Sequence, residues 1–154
     1  MAETGTVRRY HINLEGEEFG GRRKAMSAFI AARRCFACQQ SLTGEMVFGG
    51  DPQDHVDQIV AQCAGTPDYL LPDTPLKEAI FRTLLANGNG PMTAREVSDA
   101  LMARWSMSAY PRDIAAKTVA KILDHSEGYS IVWADEQEAV APAPARSGKP
   151  ERRR

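Results

Sequence analysis

Three apolar patterns with the spacing of an α-helix follow one another over residues 75–125, and they constrain the fold more than any other feature of the chain. In the first pattern, apolar residues recur every four positions from Leu76 to Leu84, so they share one face of a helix. Pro75 suits the start of a helix, and the Asn-Gly-Asn-Gly-Pro run at 87–91 ends the pattern. This segment predicts a helix followed by a tight turn.

The next two patterns predict two more helices. Thr93 and Glu96 have the spacing of a capping box, in which each side chain bonds the backbone N–H of the other, so the second helix begins there. The third helix is predicted over residues 113–125. After it, residues 126–133 combine Gly128 with β-branched and aromatic residues, which predicts a short strand pair joined by a turn.

This order of three helices and a strand pair resembles the winged helix-turn-helix superfamily over residues 75–133. The resemblance implies that the third helix enters the major groove of DNA and that residues around it contact phosphates. The residues that would make these contacts are Arg112, Lys117, Thr118 and Lys121. Two alternatives to nucleic-acid contact stay open. The helix can have a purely structural role, because a pair of lysines is often only its solvated face, or the domain can dock on a protein.

The second informative feature is Cys35-Phe36-Ala37-Cys38, because two thiolates separated by two residues can hold one tetrahedral metal ion. We expect a structural zinc ion, with Cys63 as the third ligand and His55 as the fourth. One continuous helix from His55 to Cys63 would separate these residues by about 12 Å, so this ligand set requires His55 to precede the helix or the helix to be broken. Asp51 or Asp54 could replace His55.

Two other interpretations of the cysteines stay open. One is a buried or redox-active thiol pair that holds no metal. The other is an iron–sulfur cluster, for which three cysteines would need a fourth ligand. A thioredoxin-type motif is disfavoured, because no βαβ pattern surrounds the cysteine pair.

The predicted fold class is α+β, in two parts and a tail. Residues 1–72 are predicted to form a small zinc-stabilised module, and residues 73–134 a winged-helix domain. Within the module we expect a strand, a helix and a hairpin, over residues 7–14, 21–34 and 41–50. Residues 135–154 contain a Pro/Ala tract and end in three arginines, which predicts a disordered basic tail.

Charge is segregated along the chain, although the formal net charge is only −1. Residues 1–35 hold seven Lys/Arg against four Asp/Glu, whereas residues 36–75 hold six Asp/Glu and no Lys/Arg. Residues 76–134 are close to neutral, which is less basic than a strongly DNA-binding domain usually is. The acidic middle segment and this weak basic charge favour protein docking as the alternative to nucleic-acid binding.

No P-loop, dinucleotide-binding glycine pattern or Gly-x-Ser-x-Gly motif occurs, so we predict that the protein is not an enzyme. The expected function is nucleic-acid binding, with DNA preferred over RNA, as a transcription regulator. The alternatives are an adaptor that docks on RNA polymerase or the ribosome, and a redox or metal sensor that acts through its cysteines. We expect a cytoplasmic protein without a membrane partner, and no coiled-coil heptads predict an oligomeric state.

Overall fold

A computed structural model describes residues 7–16, 19–49, 51–107 and 114–135 as a mixture of helices and a small two-stranded sheet. In chain order the elements are β1 (Arg8–Ile12), α1 (Arg23–Ala31), α2 (Phe36–Gln39), α3 (Gly44–Gly49), α4 (Pro52–Gln58), a π-helical turn (Ile59–Cys63), a 3-10 turn (Pro67–Tyr69), α5 (Leu76–Ala86), α6 (Ala94–Arg104), α7 (Ala116–Asp124) and β2 (Ile131–Asp135).

The helices α5, α6 and α7 lie where their apolar periodicity predicts them. The capping box before α6 is confirmed, because the Glu96 N–H donates to Thr93 Oγ1 at 3.1 Å and the Thr93 N–H donates to Glu96 Oε1 at 2.9 Å. The turn after α5 contains Gly88 and Asn89 in the left-handed region, with φ of 69° and 63°. Glycine and asparagine tolerate this conformation better than other residues, which explains why the helix ends there.

The two strands come from opposite ends of the described chain. β1 pairs with β2 in antiparallel register, with Tyr10 opposite Trp133, and Tyr10 also forms an isolated bridge with Met92. The predicted strand pair within residues 126–133 is therefore wrong. The residues around Gly128 form a turn that connects α7 to β2, and too few residues separate α7 from this turn to form a strand.

A second correction concerns residues 41–50, for which the apolar pattern predicts a hairpin. Residues 44–49 form the helix α3 instead. Thr43 explains the difference, since its side chain accepts a hydrogen bond from the Met46 N–H at 3.2 Å and its carbonyl oxygen accepts one from the Val47 N–H at 3.0 Å. These contacts satisfy backbone groups at the start of a helix, as an N-cap does.

The hydrophobic core contains residues from before and after the predicted domain boundary at residue 72. The largest fully buried side chains are Tyr69, Phe81, Ile12, Met26, Ile30, Ile59, Ile80, Leu84, Leu85, Leu101, Val56 and Val97. Asn89, in the turn after α5, also exchanges two side-chain hydrogen bonds with the backbone of Ile12, at 2.7 and 2.9 Å. The division into two domains stays a prediction, but the two parts share one sheet and one core.

An ion-pair cluster joins the same two parts. Arg33 follows α1 and donates two hydrogen bonds, both of 2.9 Å, to the two carboxylate oxygens of Glu78 in α5. Glu78 also accepts from Arg82 at 2.8 Å and from the hydroxyl of Tyr129 at 2.9 Å. Three segments that are distant in sequence therefore converge on one carboxylate.

Several predictions lie outside the described residues. They concern Arg112, Asp113 at the start of the predicted third helix, and the tail beyond residue 135. Within the described ranges, the longest helices have eleven residues, and none combines the length and apolar character that crossing a bilayer requires.

Candidate functional site

Cys35 and Cys38 occupy the start and the interior of the short helix α2. Cys35 is the N-cap residue, with an extended backbone (φ −67°, ψ 164°), and its side chain makes no capping hydrogen bond. The nearby backbone N–H of Cys38 lowers the pKa of the Cys35 thiol, because it stabilises the thiolate. The Phe36 N–H donates to an Asp68 carboxylate oxygen at 2.9 Å, so this backbone donor at the start of α2 is satisfied.

Cys63 lies near Cys35 and Cys38 because the helix that carries it changes from α-helical to π-helical geometry. The chain continues from α4 into a π-helical turn, in which the Ala64 N–H donates to the Ile59 carbonyl oxygen at 2.8 Å. A π-helical turn contains more residues than an α-helical turn, so it rotates the residues after it around the helix axis. Cys63 is fully buried, and this burial raises the pKa of its thiol to about 12.

The three cysteines form one buried cluster. Their sulfur atoms all lie within 4.8 Å of one another, and all three residues are buried free thiols. The Sγ atoms of Cys38 and Cys63 are 3.6 Å apart. Two sulfurs bound to one tetrahedral zinc ion, with Zn–S bonds of about 2.3 Å, would lie about 3.8 Å apart. The donor type and the spacing therefore fit a thiophilic metal ion.

The chain on the far side of Cys63 is held by Arg104 at the end of α6. Its guanidinium donates to the carbonyl oxygens of Ala64 at 2.6 Å and Thr66 at 2.7 Å. A charged donor that bonds two nearby carbonyl groups restricts the chain that leaves the cysteine cluster. The cluster is thus fixed by an element from the second predicted domain.

His55, the fourth predicted ligand, does not belong to the group that the three cysteines form. It lies in α4, two turns before Cys63, so the π-helical turn does not remove the separation that a helix imposes. His55 is nevertheless buried, and neither ring nitrogen has a hydrogen-bond partner among the described residues. Asp51 and Asp54 are not members of the group either, and Asp51 caps α4 by accepting from the Gln53 N–H at 3.0 Å.

Gln62 is a neighbour of the cluster that the sequence analysis missed. The Cys38 thiol donates to Gln62 Oε1 at 3.3 Å, and the backbone carbonyl oxygen of Gln62 lies 4.0 Å from the Cys35 sulfur. Its position beside Cys63 in the sequence was the available signal, but an exposed glutamine carries no distinctive pattern.

The predicted nucleic-acid contacts lie on α7. Lys117 and Lys121 are exposed and Thr118 is half-buried, whereas Val119 and Leu123 face the core. Arg112 lies outside the described residues. Ala120 and Asp124, which share a helical stripe with the two lysines, line an open cleft of about 560 Å³.

Two cations that no sequence pattern singles out line this cleft. Arg95 lies in the first turn of α6, and Arg8 lies at the start of β1. Arg8 forms an ion pair with Asp124 at 3.2 Å, and its guanidinium lies 3.8 Å from the centre of the Trp133 ring. The cleft therefore combines basic side chains from two elements, β1 and α6, with one acidic side chain from α7.

Comparisons with family models, with curated proteins and with solved structures gave no significant match to this chain.

Proposed function

We propose that this protein is a non-enzymatic, DNA-binding transcription regulator of the winged-helix type, with a structural zinc ion bound by Cys35, Cys38 and Cys63. The observation that carries the zinc assignment is the convergence of three thiols that are distant in sequence into one buried group. Zinc is favoured because it binds thiolates tetrahedrally and undergoes no redox change. A cytoplasmic location agrees with this site, since a reducing compartment keeps thiols available to a metal.

The DNA-binding assignment rests on the cleft beside α7. Lys117 and Lys121 are exposed on the stripe of α7 that borders it, and Arg8 and Arg95 line it from β1 and α6. Basic groups that surround one helix face can neutralise the phosphates on either side of a groove. RNA could use the same cations, so the choice of DNA is part of the proposal.

The winged-helix assignment is supported by the order and arrangement of the elements. α6 and α7 follow α5 and pack against each other, and β1 lies between β2 and the bridge at Met92. A small sheet beside three helices is the composition of a winged helix. Here the N-terminal strand β1 would take the place that a second wing strand has in a hairpin.

The test is a salt series with a short random-sequence DNA duplex, measured by fluorescence anisotropy. We expect binding whose logarithm falls linearly with the logarithm of salt concentration. The double variant Lys117→Glu/Lys121→Glu should bind more weakly, with a slope shallower by about 2, because each lysine that contacts a phosphate contributes about 1 to the slope.

The matched control is Arg22→Glu/Lys24→Glu, which changes the net charge equally at two exposed positions near the start of α1. It should keep the wild-type slope. Equal losses in both variants would show that binding follows overall charge and not α7. Absence of DNA binding by the wild type at low salt would contradict the proposal and leave protein docking as the function to test, and tighter binding to an RNA duplex would change the proposed target.

A further inference from the structure

We propose that the side-chain oxygen of Gln62 is the fourth ligand of the metal. This inference rests on the proposed zinc site and completes it, because a structural zinc ion takes four ligands and the cysteine cluster supplies three. Among the described residues, the group of ligand-type His, Cys, Asp and Glu side chains contains only these cysteines. The remaining position therefore needs another kind of donor or a water molecule.

The distances place the amide oxygen of Gln62 beside the cluster. Gln62 Oε1 lies 3.3 Å from Cys38 Sγ. A sulfur at about 2.3 Å and an oxygen at about 2.1 Å from one tetrahedral zinc ion would lie about 3.6 Å apart. The observed separation is close to that value, so the distance between the amide oxygen and Cys38 Sγ suits two ligands of one ion.

A divalent ion held by three thiolates forms a group with one negative charge, because metal binding releases the thiol protons. The side-chain oxygen of Gln62 lies within hydrogen-bond distance of Cys38 Sγ and has lone pairs that it can donate to the metal.

The exposed position of Gln62 also suits a fourth ligand that separates the metal from solvent. The three cysteines are buried, whereas Gln62 is exposed, so its side chain reaches the cluster from the solvent side. A neutral amide oxygen adds no further negative charge to a group that already has an excess. It also takes the position that water would otherwise occupy.

The experiment is a cobalt(II) titration of the full chain, since cobalt replaces zinc in tetrahedral sites and reports its ligands through visible ligand-field bands. The variants are Gln62→Leu, which removes the donor, and Gln62→His, which supplies a nitrogen. The controls are Gln58→Leu and Gln58→His, at an exposed glutamine one turn earlier. Affinity is measured by competition with a chelator, and each cobalt complex is then treated with imidazole.

We expect Gln62→Leu to weaken cobalt binding by at least about 10–100-fold, because losing a group that only orients a ligand already costs that much. Its spectrum should change on addition of imidazole, because exchangeable water fills the fourth position. The wild type and the Gln58 variants should resist imidazole. Gln62→His should shift the ligand-field bands, and this readout decides the question if Gln62→Leu fails to fold.

Three results would overturn the inference. The first is a Gln62→Leu variant with wild-type affinity and resistance to imidazole, and the second is a Gln62→His variant with unshifted bands. The third is a wild-type cobalt complex that already exchanges its fourth ligand with imidazole. By contrast, failure of the wild type to bind cobalt or zinc at all would contradict the metal site itself. The experiment therefore distinguishes an error in the metal site from an error in the assignment of Gln62.

Discussion

At the scale of single residues, the cysteine cluster combines one thiol whose pKa is lowered with one whose pKa is raised. The backbone N–H of Cys38 lowers the pKa of Cys35, whereas burial raises the pKa of Cys63 to about 12. Without a metal, Cys63 is therefore a neutral thiol at physiological pH. A bound cation would reverse this, because a thiolate that coordinates a metal is stabilised by the positive charge.

Cys63 and His55 should differ in their contribution to zinc binding. We expect the wild type to bind one zinc ion per chain and Cys63→Ser to bind none, because only two thiolates remain. His55→Asn should keep its zinc, since His55 is not a member of the cysteine group. Elemental analysis of purified protein measures both. Loss of zinc in a folded His55→Asn variant would restore His55 as a ligand and contradict the proposed set.

The second residue-scale prediction concerns Glu78 and pH. Burial by itself would raise its pKa, but the hydrogen bonds from Arg33 and Arg82 outweigh this and hold the pKa at about 2, against 4.5 for an ordinary glutamate. A carboxyl group whose pKa is lower in the folded state stabilises the fold above its unfolded pKa. This contribution, up to about 3 kcal/mol, is lost as the pH falls from about 4.5 to about 2.

Chemical denaturation across this pH range measures the effect. We expect Glu78→Gln to be less stable than the wild type at pH 7 and to lose less stability between pH 4.5 and pH 2. Glu45→Gln, at an exposed position in α3, is the control and should follow the wild type. Parallel stability curves for the wild type and Glu78→Gln would contradict the role given to this carboxylate.

At the scale of elements, the sequence predicts what depends on neighbours along the chain. The capping box at Thr93 and the apolar stripes of α5 to α7 are local signals, so these helices could be predicted. The apolar residues of α3 fit a hairpin as well as a helix, so only the capping contact of Thr43 distinguishes the two structures. The C-x-x-C pair is equally local, whereas the approach of Cys63 depends on the π-helical turn, which no residue pattern indicates.

The prediction at this scale tests the start of α6. Thr93→Ala should reduce the free energy of unfolding by about 1 kcal/mol, because the first turn loses the side-chain acceptor of its capping box. Glu96→Gln should cost less, since glutamine can also complete the box. Denaturant unfolding of both variants gives the comparison. An unchanged midpoint for Thr93→Ala would contradict the contribution of the box.

At the scale of the whole molecule, long-range pairing organises the fold. β1 and β2 lie more than 100 residues apart in sequence, and neither strand carries a signal that identifies the other as its partner. This explains why a local strand pair was predicted in place of the observed sheet. The ion-pair cluster at Glu78 and the contacts of Arg104 behind Cys63 likewise join segments on both sides of residue 72. The candidate metal centre and the basic cleft are therefore parts of one connected structure.

Zinc K-edge X-ray absorption of the zinc-loaded full chain would test whether Cys35, Cys38 and Cys63 bind a zinc ion together. We expect three sulfur ligands at about 2.3 Å and one oxygen ligand at about 2.0–2.2 Å. A chain that takes up no zinc, or a zinc ion with fewer than three sulfur ligands, would show that these cysteines do not form the proposed site.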